Sequence, residues 1–515
     1  MKEKAVRKIC LYLGIMMVWG LFAGCTKKST SPAQSSGAGE ATTTLATNAA
    51  TAAKEPVQFK VLQWEWDFTD GDRIVKTIKD KFNVSFNVTS AAWGEWQEKL
   101  RIMISSGDIP DIFPTYGPGD QDYEKLIKED LLMDLTDTIA KFPNLQKRID
   151  SDATKFYKTN GRLYGYPRMM NDIPAHALYI RQDWLEKLNL QTPKTLDDLY
   201  NVLKEFVKND PDGQKNVGLS LDGNWWMNFI IADYTGINEW GVKDGKHVNV
   251  AVDPGYKEAL KYLHKLYEEK LLDPDYMLGK DKNSFDKFMS GRAGAVYQGF
   301  QSHEYGPVVE GLANNFPAAK VSLVIPPLQG PAGSFGSQNA TPYFGMTHLR
   351  KDVKNPERLL EVMNYLATDE GLNLVRYGIE GVHYTKQGDK IVRNEKEYEK
   401  DHFNTGSVKT HNIYYLIGFD STYWFPEHLK YNTMIGENIE KLRPYGLPSK
   451  VYGFSSENNT KLAPAIKDVY DKYQAQFITG ELDIDKYWDE YVKKYREAGY
   501  DIIEKEVNEY MAHYK

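Results

Sequence analysis

From residue 57 onward, two hydrophobic periods follow one another along the chain. Residues 57–62 alternate apolar and polar side chains, as a half-buried strand does, whereas Arg73–Phe82 groups its apolar residues on one helical face. Residues 84–88 predict a second strand and residues 96–104 a second helix. This strand, helix, strand, helix order favours a parallel sheet with helices packed on it.

The same order returns in the middle of the chain. His176–Arg181 predicts a strand, and residues 182–188 and 196–207 predict helices. Thr195 precedes the second of these helices and lies three residues before Asp198, which is the spacing of a capping box. The chain therefore predicts an α/β fold that is built from two units.

The C-terminal part of the chain has a different pattern. Residues 462–478 and 485–498 have helical periodicity and are followed by Gly480 and Gly499. Glycine is common at the C-terminal end of a helix because it adopts a left-handed conformation without strain. We therefore expect a helical C-terminal extension.

The N-terminal residues have the layout of a secretory signal. Four basic residues lie within the first eight positions, residues 9–21 are almost uncharged, and small residues precede Cys25. The apolar run is shorter than the about 20 residues of a membrane-spanning helix. We predict a signal peptide at residues 1–24 and a lipid-modified Cys25 that anchors the protein on the extracytoplasmic face of the cell membrane. Residues 25–55, rich in Ser, Thr, Ala and Gly, predict a disordered tether.

Charge and cysteine content exclude two classes of function. The net charge is −7 at pH 7 and no segment forms a basic stripe, so we expect no nucleic acid as a partner. Cys10 and Cys25 are the only cysteines, so a processed and lipidated protein has no disulfide and no thiol for catalysis. We expect a monomer that is stabilised by a large core.

Six local strings, in order along the chain, resemble the family 1 extracellular solute-binding proteins. This group contains maltose-binding protein, and the likeness is to its large oligosaccharide-binding lipoprotein branch. The strings are residues 106–113 (SGDIPDIF), 160–167 (NGRLYGYP), 179–185 (YIRQDWL), 288–296 (FMSGRAGAV), 364–371 (NYLATDEG) and 378–384 (GIEGVHY).

The resemblance implies a two-lobed fold of the periplasmic-binding-protein type (type II). Residues 56–173 plus 342–378 would form lobe 1, and residues 174–341 plus 379–515 would form lobe 2. The ligand would lie in a cleft between the lobes, which close by a hinge motion. The implied partner is the membrane permease of an ABC importer, which supplies its own energy, so this chain needs no ATP site.

Residues that directly follow strands are the candidate ligand contacts, because ligands of open α/β sheets bind beyond the carboxyl ends of the strands. In the first lobe these are Trp64, Trp66 and Tyr116, and Arg168, which follows Tyr166 and Pro167, is a further candidate. Aromatic rings stack on the apolar faces of sugars, so they favour a carbohydrate ligand, although core packing is the alternative for each Trp. Arg168 would bind the carboxylate of an acidic ligand, or else form a structural ion pair.

The second lobe supplies candidates from three places, and buried packing is the alternative for each. They are Trp225 and Trp226 at the start of a predicted helix, Tyr297 and Gln298 after a strand predicted at residues 293–296, and His383 and Tyr384 after a late helix.

Asp210 and Asp212 are the candidate ligands of a calcium ion. Large relatives such as alginate-oligosaccharide-binding proteins carry a calcium loop between equivalent elements, and calcium needs several oxygen ligands. Here Lys215 and Asn216 occupy positions where further carboxylates would be needed. A plain turn is the favoured interpretation, and we expect no cofactor.

Two other functions remain open beside oligosaccharide binding for import. A secreted glycoside hydrolase needs two carboxyl groups near the scissile bond, and Glu65 with Asp67 is a possible pair. The chain has no Gly-x-Ser-x-Gly motif, no Walker loop and no dinucleotide-binding glycine pattern, which favours a protein that is not an enzyme. The third function is that of a surface lipoprotein that uses the same fold for signalling or adhesion.

Overall fold

A computed structural model describes the chain from residue 55 to residue 513, except residues 65–66, 93, 151, 170–174, 279–282, 337–342, 389, 404–409, 419–429 and 452. The predicted signal peptide, Cys25, Glu65 and Trp66 lie outside the described residues. Within the described part, no helix combines the length and the apolar character that a membrane span requires.

Strands and helices alternate through most of the described chain. The strands are β1 Val57–Trp64, β2 Val84–Ala91, β3 Ile112–Thr115, β4 Tyr166–Met169, β5 His176–Arg181, β6 Leu219–Ser220, β7 Trp240–Lys243, β8 Lys246–Asn249, β9 Ala295–Gly299, β10 Val321–Val324, β11 Tyr343–Leu349, β12 Tyr384–Gln387 and β13 Lys390–Arg393. The α-helices are α1 Arg73–Phe82, α2 Trp96–Ser105, α3 Gln121–Lys128, α4 Pro143–Arg148, α5 Gln182–Lys187, α6 Leu196–Asn209, α7 Asn228–Thr235, α8 Pro254–Glu268, α9 Asn283–Met289, α10 Ser302–Asn315, α11 Pro356–Leu366, α12 Asp369–Tyr377, α13 Glu395–Lys400, α14 Asn432–Leu442, α15 Glu457–Thr479, α16 Ile484–Tyr495 and α17 Asp501–Ala512.

The first sheet has the strand order β2-β1-β3-β11-β4. Strand β1 runs parallel to β2, with Val57 opposite Val84, and parallel to β3. Strand β11 runs antiparallel to both β3 and β4, so β4 has the same direction as the first three strands. The carboxyl ends of β1 to β4 therefore lie at the same end of the sheet.

The second sheet has the strand order β10-β5-β9-β6. Strand β5 runs antiparallel to β9, with His176 opposite Gly299, and β6 runs parallel to β9. The amino end of β5 consequently lies beside the carboxyl ends of β9 and β6.

Separate hydrophobic cores surround the two sheets. The first core combines buried residues of 59–166 with those of 346–417. The cores around the second sheet combine buried residues of 175–328 with those of 435–507. Residues 379–417 belong to lobe 2 in the predicted division, yet their side chains pack in the first core, as Tyr398, Phe403 and Ile413 do. The exact lobe boundaries stay a prediction.

The α/β class and the helical C-terminal extension are confirmed. Strand β5 and helix α1 have the predicted bounds. Thr195 and Asp198 form the predicted capping box, in which each side chain accepts a backbone N–H of the other residue. Gly480 is the left-handed residue that ends α15, as expected.

The second C-terminal glycine interrupts the helices at the predicted position. Helix α16 ends at Tyr495, and Gly499, with a φ of 123°, lies in the kink before α17. A Cβ atom there would lie 2.8 Å from Leu462 Cδ1, so α15 packs closely against the glycine. The predicted helix end at Gly499 thus corresponds to the kink between α16 and α17.

Candidate ligand-binding site

The chain passes from the carboxyl end of β4, in the first sheet, to the amino end of β5, in the second. The candidate residues lie at these two sheet ends. Arg168 is in β4, at the carboxyl end of the first sheet, and His176 opens β5 in the second. Trp64 and Tyr116 lie at the carboxyl ends of β1 and β3, which share the end of the sheet with β4. Side chains of both sheets are thus found next to one connection, as expected of a ligand site in an open α/β fold.

Trp64 lies in an aromatic cluster that also contains Trp96, Tyr116 and Tyr415. Its ring centroid is 5.0 Å from that of Trp96 and 6.0 Å from that of Tyr415, and it stacks at 6.4 Å on Tyr116. The side chain is 1% exposed. Trp64 is therefore packed on several sides, as the core alternative predicts, whereas Tyr116 at the rim is only partly buried.

Arg168 lies on the face of Trp64, with the guanidinium carbon 3.8 Å from the ring centroid and 5.7 Å from that of Tyr415. The residue is 4% exposed, and its Nε has no hydrogen-bond partner. Burial lowers the pKa of Arg168 to about 9, so the group is still a cation at neutral pH. Among the described residues Arg168 forms no ion pair, so the structural ion pair that was the alternative for this residue is not found.

Trp225 and Trp226 form an aromatic platform with His176 and Tyr297 in the second sheet. The two indoles meet edge to face at 4.6 Å, and His176 lies 5.6 Å from Trp225 and 5.5 Å from Trp226. The short 3-10 helix Asn224–Met227 carries both Trp residues where α7 was expected to begin. Trp225 is 45% exposed, so its ring remains available to a ligand. Burial lowers the pKa of His176 to about 4, which keeps this ring neutral at pH 7.

Tyr297 and Gln298 lie inside β9 and not after it, because the strand extends to Gly299. The Tyr297 ring stacks at 4.1 Å on Phe229, and its hydroxyl donates to the Gly336 carbonyl at 3.0 Å. Gln298 Nε2 donates to the Asp222 carboxylate at 2.6 Å and is 2% exposed. Tyr297 therefore packs beside His176 and Trp226 of the platform, whereas Gln298 points to the other face of the sheet and binds Asp222.

His383 is fully buried in the first core, although the predicted division assigns it to lobe 2. Its Nδ1 accepts the Ile379 N–H at 2.9 Å, so the ring proton is on Nε2, which donates to Asp401 at 2.6 Å. Burial lowers the pKa of His383 more than Asp401 raises it. Its neighbour Tyr384 begins β12 in a separate two-stranded sheet. These two residues are not brought together with the platform by any contact in the described structure.

Asp210 and Asp212 lie in a turn, and their carboxylate oxygens already bind groups of the protein. Asp210 ends α6 with a φ of 39° and accepts the Lys215 N–H at 2.9 Å and the Asn216 side-chain amide at 3.1 Å. Asp212 pairs with the buried Arg181 at 2.6 Å. These contacts favour the plain turn, and the described residues contain no group of three His, Cys, Asp or Glu side chains that could hold a metal.

Tyr415 and Trp96 are members of the cluster that the strand-end rule does not select. Tyr415 comes from the 3-10 helix Asn412–Leu416, far along the chain from β1, and no local pattern relates it to Trp64. Trp96 opens α2, where an apolar residue is expected to face the sheet. A helical wheel of α2 is the one signal that could have identified Trp96 as a neighbour of β1.

The model of the family described as bacterial extracellular solute-binding protein matches residues 65–372. A second model, for a domain of unknown function, matches residues 453–515. These two matches cover most of the described chain, including the β4 to β5 connection and the platform.

Curated proteins similar to this chain extend over nearly all of its length. The polygalacturonan/rhamnogalacturonan-binding protein YtcQ of Bacillus subtilis is 25% identical over 511 residues, 96% of each chain. Lipoprotein LipO of the same species is 26% identical over 464 residues, 85% of this chain and 89% of LipO. The alginate-binding protein AlgQ2 superimposes with a TM-score of 0.70 at 19% identity, over 88% of this chain and 98% of that one, which shows that the fold is shared.

Proposed function

Because the chain belongs to the bacterial extracellular solute-binding protein family, we propose that it is the solute-binding component of an ABC importer and that it binds an oligosaccharide. The observation that carries the proposal is the exposed ring of Trp225 beside Trp226, at the carboxyl end of a strand in the second sheet. YtcQ, which is similar over almost the whole chain, is named for binding polygalacturonan and rhamnogalacturonan.

The chemistry of the platform suits a sugar. An exposed indole offers a flat apolar face on which a pyranose ring can stack, and the perpendicular Trp226 limits its rotation. Tyr116, partly buried at the opposite sheet's carboxyl end, offers a hydroxyl that can donate to or accept from sugar hydroxyls. A ligand that touched both would bridge the two sheets.

The bridging position supports ligand-driven closure of two lobes in the proposed function. The two sheets have separate cores, and the chain passes between them at the β4 to β5 connection and again between β10 and β11. The closed form would be the one that the permease recognises.

The proposal includes the location of the protein. Cys25 receives the lipid, residues 25–55 form the tether, and the body lies on the extracytoplasmic face of the membrane. The match of LipO, which is named a lipoprotein, supports this arrangement. Metabolic labelling with a palmitate analogue tests it, because Cys25→Ser should abolish the label.

The sugar-binding proposal is tested by Trp225→Ala in a thermal-shift and calorimetry panel of plant and microbial oligosaccharides. Wild-type protein should gain melting temperature with at least one member, since a ligand of the native state stabilises it by mass action. Trp225→Ala should weaken that binding by at least about 1 kcal/mol, as expected for a Trp that anchors a ligand. Its own melting temperature should stay near that of wild type because nearly half of the residue is exposed in the absence of ligand.

Ile502→Ala is the matched control, because Ile502 is 47% exposed and lies in α17. It should leave sugar binding unchanged. If no oligosaccharide binds, or if Trp225→Ala binds as wild type does, the proposal is wrong. Release of shorter sugars from a bound oligosaccharide would favour the hydrolase instead, and binding of a surface protein without any sugar would favour adhesion or signalling.

A further inference from the structure

Arg168 is a buried cation that has no anionic partner in the described part of the chain. Other deeply buried cations of this protein are neutralised. Arg181 is fully buried and pairs with Asp183 and Asp212, each at 2.6 Å. Lys287 is 7% exposed and pairs with Asp273 at 2.7 Å. Among the described residues, the buried cations Arg181 and Lys287 thus have carboxylate partners, whereas Arg168 has none.

The groups that surround Arg168 are neutral. Trp64 lies against the guanidinium, and Tyr116 and Tyr415 are its electrostatic neighbours. Burial, together with the charge of Arg168, lowers the pKa of His348, so this ring is uncharged. Its Nδ1 donates to the Tyr164 carbonyl at 2.7 Å, so Nε2 accepts the Thr115 hydroxyl at 2.8 Å. Among the described residues, no side chain next to Arg168 can thus act as its counter-ion.

A buried guanidinium without a counter-ion is costly for the folded state. The cation–π attraction between the guanidinium and Trp64 offsets only part of the hydration free energy that the guanidinium loses on burial. The same contact fixes the plane of the guanidinium, whose N–H groups form a rigid fork that matches a carboxylate. Arg168, held in place and without an anionic partner in the described part of the chain, can therefore bind an anion that comes from outside the chain.

The position of Arg168 indicates where that anion would come from. The residue lies at the carboxyl end of β4, next to the connection that leads to His176 and the platform of Trp225 and Trp226. A ligand that stacks on Trp225 and extends to the first sheet would reach the carboxyl end of β4, where Arg168 lies. An anionic group of the ligand would lose its water there and would pair with the guanidinium of Arg168.

We propose that the ligand is a uronate-containing oligosaccharide and that Arg168 binds the carboxylate of one of its sugar units. This inference rests on the proposed function and deepens it by stating the chemical class of the ligand. Arg168 is then a binding residue that is retained at the expense of stability, as functional sites often require.

The test compares acidic sugars with neutral counterparts, using the full chain purified in detergent. The probes for calorimetry are trigalacturonate, its methyl ester, trimannuronate and maltotriose. Wild-type protein should bind at least one of the two acidic trisaccharides, and more tightly than either neutral one. Arg168→Gln should weaken the binding of that acidic sugar by about tenfold to a hundredfold, the range for hydrogen bonds to charged groups, and remove the preference over the neutral sugars.

Two further variants separate charge from geometry. Arg168→Lys keeps the charge but loses the fork, so it should lie between wild type and Arg168→Gln. Arg162→Gln is the control for net charge, because Arg162 is exposed and pairs with Asp134. It should bind the acidic trisaccharide as wild type does.

Stability provides a second readout that a structural role would not produce. Without ligand, Arg168→Gln should melt at the temperature of wild type or above it, because it removes an unpaired buried charge. Neutral sugars that bind as tightly as acidic ones, or an acid preference that survives in Arg168→Gln, would overturn the inference and leave the proposed function intact. A melting temperature that falls in Arg168→Gln while its acid preference persists would assign a structural role to Arg168. Failure of wild type to bind any sugar of the wider panel would overturn the proposed function itself.

Discussion

At the scale of single residues, Asp233 in α7 is a second buried group whose charge is poorly compensated. The residue is fully buried; Oδ1 accepts the Phe335 N–H at 2.9 Å, whereas Oδ2 has no partner among the described residues. Burial raises the pKa of Asp233 to about 8, against the lowering effect of the Phe335 N–H. The carboxyl group is therefore protonated in the folded protein at pH values where an unfolded chain has lost the proton.

This shift predicts how the free energy of unfolding depends on pH. The unfolded pKa is about 3.9 and the folded one is higher, so stability is fully present below about pH 4 and is lost as pH rises towards about 8. The slope from this one group is at most about 1.4 kcal/mol per pH unit. Asp233→Asn cannot ionise, so its urea unfolding curves should show a smaller loss of stability between pH 5 and pH 8.

Asp72→Asn is the control of opposite sign. Burial alone would raise the pKa of Asp72, but hydrogen bonds from His411 and the Thr69 N–H outweigh it and lower the pKa to about 2. That stability is present above about pH 4 and is lost as pH falls towards 2. Asp72→Asn should therefore lower the free energy of unfolding above about pH 4 and flatten the acid limb, but leave the slope between pH 5 and pH 8 near that of wild type. Equal pH profiles of wild type and Asp233→Asn between pH 5 and pH 8 would contradict the account of Asp233.

Single-residue roles were only partly predictable from the sequence. Trp64 was a candidate because it follows a predicted strand and Trp225 because it opens a predicted helix, yet one is 1% and the other 45% exposed. The difference comes from Trp96 and Tyr415, which pack on Trp64 from distant parts of the chain. The position of a residue at the carboxyl end of a strand can be predicted from the sequence, but the direction of its side chain cannot.

At the scale of elements, Gly294 shows how tightly the helices pack on the second sheet. It precedes β9, and a Cβ atom there would overlap the Phe206 ring of α6 and lie 2.9 Å from Trp184 of α5. Gly294→Ala should lower the free energy of unfolding by about 1–3 kcal/mol, as overpacking of a core does. Urea unfolding measures this change.

Gly94 provides the matched control for that substitution. A Cβ atom at Gly94 would meet no atom within 4 Å. Gly94→Ala should therefore stay within about 0.5 kcal/mol of wild type, as surface substitutions usually do. If Gly294→Ala were as stable as Gly94→Ala, the described packing of α5 and α6 against β9 would be wrong.

Regular elements were the part of the fold that the sequence predicted best. Helix α6 has a wide apolar face and a capping box, so local information was sufficient. The C-terminal helices were predicted with a break at Gly499, and the glycine lies in a kink between α16 and α17. The close packing of Leu462 of α15 against this glycine was not visible in the sequence, because it is a tertiary contact.

At the scale of the whole molecule, long-range pairing decides which segment joins which sheet. Residues 379–417 follow the late helices. Within this segment, the buried Asp401 accepts one hydrogen bond from His383 and another from Arg73 of α1. This network holds the segment in the first core. Its members are far apart along the chain, so periodicity could not reveal that the segment returns to the first sheet.

A contact between the C-terminal segment and the first sheet's helices adds a restraint on motion between the sheets. Ser455 donates a hydrogen bond to Glu124 of α3, and Glu457 pairs with Lys128 at 3.5 Å. Both Lys128 and Glu457 are largely exposed, so this ion pair contributes little and can break on closure. The proposed hinge motion would therefore meet only a weak electrostatic barrier here.

In the proposed function, an oligosaccharide bridges the two sheets and the protein closes around it. Small-angle X-ray scattering during a titration with the best oligosaccharide of the panel tests it most directly. We predict that the radius of gyration falls with sugar concentration and saturates, and that Trp225→Ala requires more sugar for the same change. A radius that stays constant while calorimetry records binding would contradict closure around the ligand.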